Sequence, residues 1–326
     1  MSYRWILAPL CVLYWIHLRI RHWLYDKSLL PSLTVSVPTI CVGNLAVGGT
    51  GKTPHTEYLI RMLSQQYTVA VLSRGYKRKT HGFVLADQNS TAATIGDEPM
   101  QIHRKFPDIP VAVCANRVHG VRQLQRLVPN LQLVILDDAM QHRAIRCSHT
   151  ILLTPADNLY VEDHLLPWGN LRDLPYRSIA AQTVIVTKCP DNMKPIDKRV
   201  IHNKLHLATF QQLYFSHIVY EPLPEHITKP LLVCGIANPE PLIAHVRKSC
   251  KSVEVMTFSD HHRFSKSDQQ RIITAAQKHD YVLTTEKDYE RLLLTSLPDV
   301  LGDKLLPLPI RIELDHPLTF KFSTLK

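Results

Sequence analysis

Residues 46–53, Ala46-Val47-Gly48-Gly49-Thr50-Gly51-Lys52-Thr53, have the types and spacing that hold a triphosphate. Glycines let consecutive backbone N–H groups turn toward one anion, and the N-terminus of a following helix adds partial positive charge. In such a loop the lysine, here Lys52, reaches the β- and γ-phosphates and the hydroxyl, here Thr53, ligates Mg²⁺. The context fits. Residues 37–42 are an apolar, β-branched run suited to a buried strand, and beyond Lys52 the residues Tyr58, Leu59, Met62 and Leu63 recur at helical spacing. One position departs from the general pattern, which wants glycine five residues before Gly51 and finds Ala46.

A carboxylate is needed beside that loop to hold the metal. Residues 131–136 are an apolar run ending in Asp137-Asp138, the arrangement that places an acid next to the phosphates. Side chains alternate along a strand, so one of Asp137 and Asp138 is expected to meet Mg²⁺ and the other a water or a basic group. Gln141, His142 and Arg143 follow at once and should lie near the γ-phosphate. Asp97 sits near the N-terminus of the helix predicted over 100–105, where an acid serves either as a cap or as a proton acceptor. Asp260-His261-His262 closes another apolar run and reads as a metal pair, a base dyad or a surface turn. No third or fourth ligand at metal-site spacing accompanies it, which argues against zinc. Basic groups that could face an anion come from Arg74-Gly75-Tyr76-Lys77-Arg78-Lys79, from Arg117, and from Arg172 in a turn-rich loop.

These residues must be positioned by an α/β framework. Apolar runs near 67–73, 109–114, 131–136, 149–154 and 183–188 alternate with helical segments, including 100–105 and 116–127, which predicts a mostly parallel sheet with helices on both faces. The rhythm changes after about residue 207. Residues 211–220 read as an isolated strand. A second strand–helix series follows, with helices over 238–249 and 266–278, a Ser265/Asp268 capping box, and two extended runs over 308–322. The expected division is an N-terminal helix (1–30), a phosphate-loop domain (31–210) and a smaller C-terminal α/β domain (211–326) joined through the strand near 211–221 and the terminal strands.

Composition narrows the partners. The chain has 326 residues, is 45% hydrophobic and carries a formal net charge of +10, which suits an anionic partner. Its seven scattered cysteines contain no CxxC, as expected in a reducing compartment. Aromatic residues are not interleaved with the basic ones in a stacking pattern, which argues against nucleic acid, and no segment points to an obligate protein partner. Residues 3–25 are the oddest stretch: an almost continuous apolar run from Trp5 to Leu18, then Arg19, Arg21, His22 and Lys27, with Tyr14, Trp15, Trp23 and Tyr25 interspersed. The run is shorter than the roughly 20 apolar residues of a spanning helix, contains Pro9 and has no small-residue cleavage site. It reads as a helix lying in the membrane surface, or as one docked on the protein's own core. On the first reading, removing residues 1–27 should weaken vesicle binding and spare ATP binding.

Together these strings resemble the lipid A 4′-kinase (tetraacyldisaccharide 4′-kinase) family. The resemblance runs over most of the chain through VGNLAVGGTGKTP, SRGY, GDEP, NR, LDD with QHR, LR, VCGIANP, SDHHRF and TTEKD. It tolerates a non-glycine residue at Ala46. It implies a P-loop NTPase-type α/β/α sandwich with a second, smaller α/β/α domain and a two-stranded β linker, with ATP bound between the domains. The implied reaction moves the γ-phosphoryl of ATP to the 4′-hydroxyl of a lipid-bearing glucosamine disaccharide 1-phosphate. It also implies work at the cytoplasmic face of the inner membrane, anchored by the N-terminal helix. Asp97 would act with a histidine of the second domain to activate the sugar hydroxyl, His261 first and His262 as the alternative, while Arg74, Tyr76, Arg117, Gln141, His142 and Arg172 would serve the substrate. Two departures stand out: DDGFQH of the family is Asp137-Asp138-Ala139-Met140-Gln141-His142 here, and its LRE is Leu171-Arg172-Asp173. The chief rival is a membrane-associated P-loop NTPase with a positioning role, against which Val47 stands where that class carries lysine. A metallochaperone GTPase would want Cys/His clusters and an NKxD string.

Overall fold

The computed structural model describes residues 7–260 and 262–320. The chain opens with helix α1 (Ala8–Asp26), a short strand β1 (Leu33–Thr34), and β2 (Thr39–Asn44), which leads into the glycine loop and helix α2 (Lys52–Leu63). It continues through β3 (Val69–Ser73), β4 (Val84–Leu85), the single turn α3 (Ala92–Ile95), α4 (Asp97–Lys105), β5 (Val111–Val113), α5 (Arg117–Leu127), β6 (Leu133–Asp137), β7 (Ile145–Arg146), β8 (His149–Pro155), β9 (Thr183–Thr187) and α6 (Pro195–Leu205). Then come β10 (Gln212–Tyr220), β11 (Leu231–Cys234), α7 (Glu240–Ser249), β12 (Glu254–Thr257), α8 (Lys266–Ala276), β13 (Val282–Thr285), α9 (Glu286–Leu292), α10 (Leu297–Leu301), β14 (Leu305–Leu308) and β15 (Ile310–Leu314).

The main sheet has nine strands in the order β15-β10-β9-β8-β2-β6-β3-β5-β4. Every neighbouring pair from β10 to β5 is parallel, and only the edge strands β15 and β4 run antiparallel. A parallel strand buried on both faces needs an unbroken apolar run, and all six residues of β2 are buried. Alternation splits them between two cores. Ile40 and Val42 join Leu59 and Ile60 of α2, while Cys41 joins Val121 and Leu124 of α5 on the opposite face. A second, all-parallel sheet of four strands, β12-β11-β13-β14, is likewise covered on both sides: Leu231 and Val233 pack with Ile272 and Leu292, and Leu232 and Cys234 with Leu242 and Val246.

The helix starts follow local chemistry. Asn116 accepts a hydrogen bond from the His119 N–H at 3.1 Å to open α5, and Ser265 and Asp268 form the expected reciprocal box on α8.

Two strand expectations change. Residues 212–220 are not isolated: Gln212–Phe215 extend the main sheet beside β9, and Ser216–Tyr220 pair antiparallel with β15. One strand thus serves both as the sheet's last parallel member and as half of the two-stranded link to the second sheet. Of the two extended runs expected over 308–322, the described residues contain β15. The other strand of this region, β14, lies just before it and completes the second sheet against β13. A four-residue strand interrupted by Pro307 carries too little periodicity to be read in advance.

Candidate active site

The glycine loop is braced on three sides. The Val47 N–H donates to Asn170 O at 2.8 Å, and the Arg172 N–H donates to Leu45 O at 2.8 Å, tying the loop to the 170–172 segment. Asn44, at the end of β2, donates to Thr50 Oγ1 at 2.8 Å, and Thr187 Oγ1 donates to Thr50 O at 3.0 Å. Gly51 precedes Lys52 with φ +88°, a conformation cheap only for glycine, and starts α2 so that its N-terminus points into the loop. Ala46, Val47, Gly48 and Gly49 complete the turn, and Thr53 is nearly buried in the first turn of α2.

His55 is a support that the motif alone did not reveal. Its Nδ1 lies 2.7 Å from Gly51 O and its Nε2 2.9 Å from Ser216 Oγ. A carbonyl can only accept, so Nδ1 carries the proton and Nε2 accepts from the serine, linking the phosphate loop to β10. Burial lowers the His55 pKa from 6.5 to about 4. The folded protein therefore binds fewer protons here than the unfolded chain between those values. Stability should be full above pH 6.5 and fall as pH drops toward 4. His55→Gln is expected to flatten part of that acid limb in a series of melting temperatures against pH; an identical limb would contradict the assignment.

The two acids at the end of β6 have separated roles. Asp137 is fully buried and accepts from Thr56 Oγ1 at 3.3 Å and Ser73 Oγ at 3.2 Å. Burial, with the negative charges of Glu98 and Asp138, pushes its carboxyl up to about 7 against the pull of Lys52. Asp138 takes a left-handed backbone, φ +50°, which turns its side chain toward the loop, 3.9 Å from Lys52 Nζ. Arg172 grips it with both terminal nitrogens, Nη1 at 3.1 Å from Oδ2 and Nη2 on Oδ1, and Nη2 also contacts Asn44 Oδ1. Burial works against ionisation of Asp138 too, but the hydrogen bond from Arg172 and the charge of Lys52 outweigh it and hold the carboxyl below its ordinary range. Asp138 is thus the ionised acid facing the loop.

The altered DDGFQH string is explained by packing. Ala139 and Met140 point into the core, where a Cβ on Gly43 would lie 2.5 Å from Met140 Cβ, so β2 can pass only as glycine. The polar members stay on the site side. Gln141 Nε2 donates to Asn44 O at 2.7 Å, and His142 is half-buried, its pKa lowered by burial and then by Arg117.

Asp97 opens α4 at the same end of the sheet: a Cβ on the preceding Gly96 would lie 3.2 Å from Tyr76 O, just beyond the end of β3. It is met from the second sheet's side by Arg291 of α9, whose Nε donates to Asp97 Oδ2 at 2.8 Å. Arg291 is fixed in turn by buried Asp288 at 2.7 Å, which accepts from the Gly235 N–H and Thr285 Oγ1, both at 2.8 Å. Three more ion pairs join the same helices: Glu98–Lys287 at 3.7 Å, and Arg104–Glu290 and Lys105–Glu286, each at 2.6 Å.

His261 lies outside the described residues. Asp260, just before it, is 3.6 Å from the same Lys287 that meets Glu98. His262, the alternative partner of Asp97, is instead 3.0 Å from Asp268 Oδ2 and stacked on Phe258, so it belongs to the start of α8.

One further expectation is corrected. Arg117 is 1% exposed and donates to the carbonyls of Cys114, Ala115, Asp137 and Asp138. It ties the ends of β5 and β6 together and has no surface to offer a substrate. Asp173, which stands where the resembled family carries glutamate, is buried against His22 Nε2 at 2.6 Å and faces α1. Arg74 and Tyr76 remain on the surface, with Lys77 5.3 Å above the Tyr76 ring.

Missed by sequence reasoning were Arg291, Asn44, His55 and the His22–Asp173 pair. The local signal that could have found Arg291 is the spacing of Glu286, Lys287, Glu290 and Arg291 on one helical face.

Comparisons with known proteins agree with this arrangement. A family profile described as tetraacyldisaccharide-1-P 4′-kinase matches residues 3–324. The tetraacyldisaccharide 4′-kinase of Parabacteroides distasonis is 46% identical, covering 94% of this chain and 89% of that protein. The enzyme of the same name from Flavobacterium johnsoniae is 44% identical, covering 99% and 96%. Among solved structures, an LpxK from Aquifex aeolicus in complex with ATP superposes with a TM-score of 0.75 at 26% identity, covering 96% of each chain. With the phosphate loop, its facing acid and the helix-borne Asp97 gathered at one end of the main sheet, this chain belongs to the tetraacyldisaccharide 4′-kinase family.

Proposed function

We propose that this protein transfers the γ-phosphoryl group of ATP to the 4′-hydroxyl of a tetraacylated glucosamine disaccharide 1-phosphate, a step of lipid A biosynthesis. The observation that carries the reading is the meeting of two sets of groups in a chain of this family: a complete phosphate site, Lys52, Asp138 and Arg172, and a carboxylate, Asp97, supplied by a separate helix at the same strand ends. Phosphoryl transfer asks mainly for alignment and charge neutralisation. Lys52 and the loop amides hold the triphosphate. Arg172 is poised to shift from Asp138 onto the transferring group. Asp97 accepts the proton of the sugar hydroxyl as that oxygen attacks phosphorus, and His261 orients or charge-tunes Asp97.

Thr53 and Asp138, with Asp137 behind them, form a hard-oxygen donor set that suits Mg²⁺. Bound there, the ion would neutralise charge on the β- and γ-phosphates.

The acceptor carries acyl chains and stays in a bilayer, so the enzyme works at the membrane surface, on the cytoplasmic face of the inner membrane. The outward side of α1 supports this: Leu10, Val12, Leu13, Trp15, Ile16, Ile20 and Trp23 are all exposed, beside exposed Arg19. Among the described residues no helix is long and apolar enough to cross a membrane. A surface-lying helix is therefore the form of anchor the proposal takes. Burying one leucine-sized side chain is worth about 1.5–3 kcal/mol. Leu13→Glu with Ile20→Glu should then lower partitioning onto anionic vesicles by about 100-fold or more, with ATP affinity unchanged. Equal sedimentation of variant and parent with vesicles would remove α1 as the anchor.

The reaction itself is tested by following ADP release. Release should depend on the disaccharide 1-phosphate and vanish when the acceptor already carries a 4′-phosphate. Release indifferent to the acceptor would refute the proposal and favour the positioning-NTPase alternative.

A further inference from the structure

We infer that α1 is also a positioning element of the phosphate site, acting through Tyr14 and His22 on Arg172. The inference rests on the kinase reading only for its biological meaning; the contacts stand without it. Tyr14 OH donates to Arg172 O at 2.9 Å. One residue on, Asp173 is 1% exposed and its Oδ1 takes His22 Nε2 at 2.6 Å and the Leu174 N–H at 2.9 Å. His22 is itself completely buried, and Arg143 Nη1 meets its Nδ1 at 3.1 Å. A guanidinium can only donate, so Nδ1 accepts and Nε2 carries the proton toward Asp173. Arg143 also donates to His22 O at 3.1 Å and pairs with Asp26 at 2.6 Å.

The consequence lies in the backbone. Arg172 holds Asp138 and Asn44 with its guanidinium, while its own carbonyl and the next side chain are held by α1. A parallel route runs from Arg21 Nη2 to Gln141 O at 2.6 Å, and from Gln141 Nε2 to Asn44 O at 2.7 Å. The helix whose outer side is apolar and exposed therefore fixes, on its inner side, the arginine that faces the phosphate loop. A buried, charge-assisted contact of this kind sets orientation as well as stability. One helix thus carries both the exposed apolar side and the contacts that hold the Arg172 segment in place. Truncation of residues 1–27 removes Tyr14, Arg21 and His22 together, so the expectation from sequence that it spares ATP binding is replaced: it should weaken ATP binding as well as vesicle binding.

The test uses the full chain in detergent and reads binding of a fluorescent ATP analogue, vesicle partitioning and melting temperature. His22→Leu removes the donor to Asp173 and should weaken nucleotide affinity by about fivefold or more. His22→Gln keeps an N–H for Asp173 and a carbonyl for Arg143, and should stay within about twofold of the parent. Both should partition onto vesicles like the parent. Parental affinity in His22→Leu, or equal losses in the two variants, would overturn the inference. Should His22→Leu fail to fold, Tyr14→Phe deletes only the contact with Arg172 O. A measurable loss of affinity at unchanged melting temperature supports the link, and parental affinity refutes it. A parent protein that binds the analogue but leaves the acceptor unphosphorylated would refute the kinase proposal and leave this coupling standing.

Discussion

Asp97→Asn is expected to lower kcat by about 10³-fold while leaving the KM for ATP within about twofold. Asparagine keeps the size of the side chain and can still accept the hydrogen bond from Arg291 Nε that reaches Asp97 Oδ2 at 2.8 Å. The contact between α4 and α9 should therefore survive, together with the Glu98–Lys287, Arg104–Glu290 and Lys105–Glu286 pairs beside it. What the substitution removes is the capacity to take a proton. Asp97 is 28% exposed, so the acceptor hydroxyl has access to it, and it lies outside the phosphate loop, so nucleotide binding has no reason to change. Steady-state rates at varied ATP and saturating acceptor make the check. An unchanged kcat would take Asp97 out of the chemistry; a matched rise in KM for ATP would make it part of the nucleotide site instead.

Arg172→Lys should cost about 10²–10³-fold in kcat/KM, far more than the retained positive charge would suggest. The guanidinium spans Asp138 and Asn44 at once, through Nη1 on Asp138 Oδ2 at 3.1 Å and Nη2 on Asp138 Oδ1 and Asn44 Oδ1. A lysine ammonium is a point donor and cannot bridge that geometry. Asp138 would then turn toward Lys52, already 3.9 Å away, and compete with the phosphates for it. The effect should appear in nucleotide affinity and in turnover together, which separates Arg172 from Asp97. A lysine variant within about threefold of the parent would show that only the charge matters.

The parts legible in the sequence are those whose chemistry is local. Gly51, Lys52 and Thr53 announce a phosphate loop because the backbone conformation, the cation and the hydroxyl must lie within a few residues of one another. Asp137-Asp138 is readable because an acid must end a buried strand, and the Ser265/Asp268 box because its bonds span three residues. Which of the two acids faces the loop was not readable. It depends on the left-handed backbone at Asp138 and on Ser73 and Thr56 arriving from other elements to satisfy Asp137. Arg117 looked available because arginines usually are; only the fold shows four carbonyls converging on it. Asp173 and His22 are 151 positions apart, and Arg291 and Asp97 are 194 apart, so no spacing pattern could bring either pair together. Resemblance to a family supplied the proposed role of Asp97, but not the Asp288–Arg291 support behind it, nor the attachment of α1 to the Arg172 segment.

The most direct test follows the label from γ-³²P-ATP when purified protein is mixed with the disaccharide 1-phosphate in detergent micelles. The account predicts that the label appears in the lipid as a phosphomonoester at the 4′-position, in step with ADP formation, and that Asp97→Asn slows this transfer by about 10³-fold while still binding ATP. Label recovered only as inorganic phosphate, at a rate indifferent to the lipid, would contradict it.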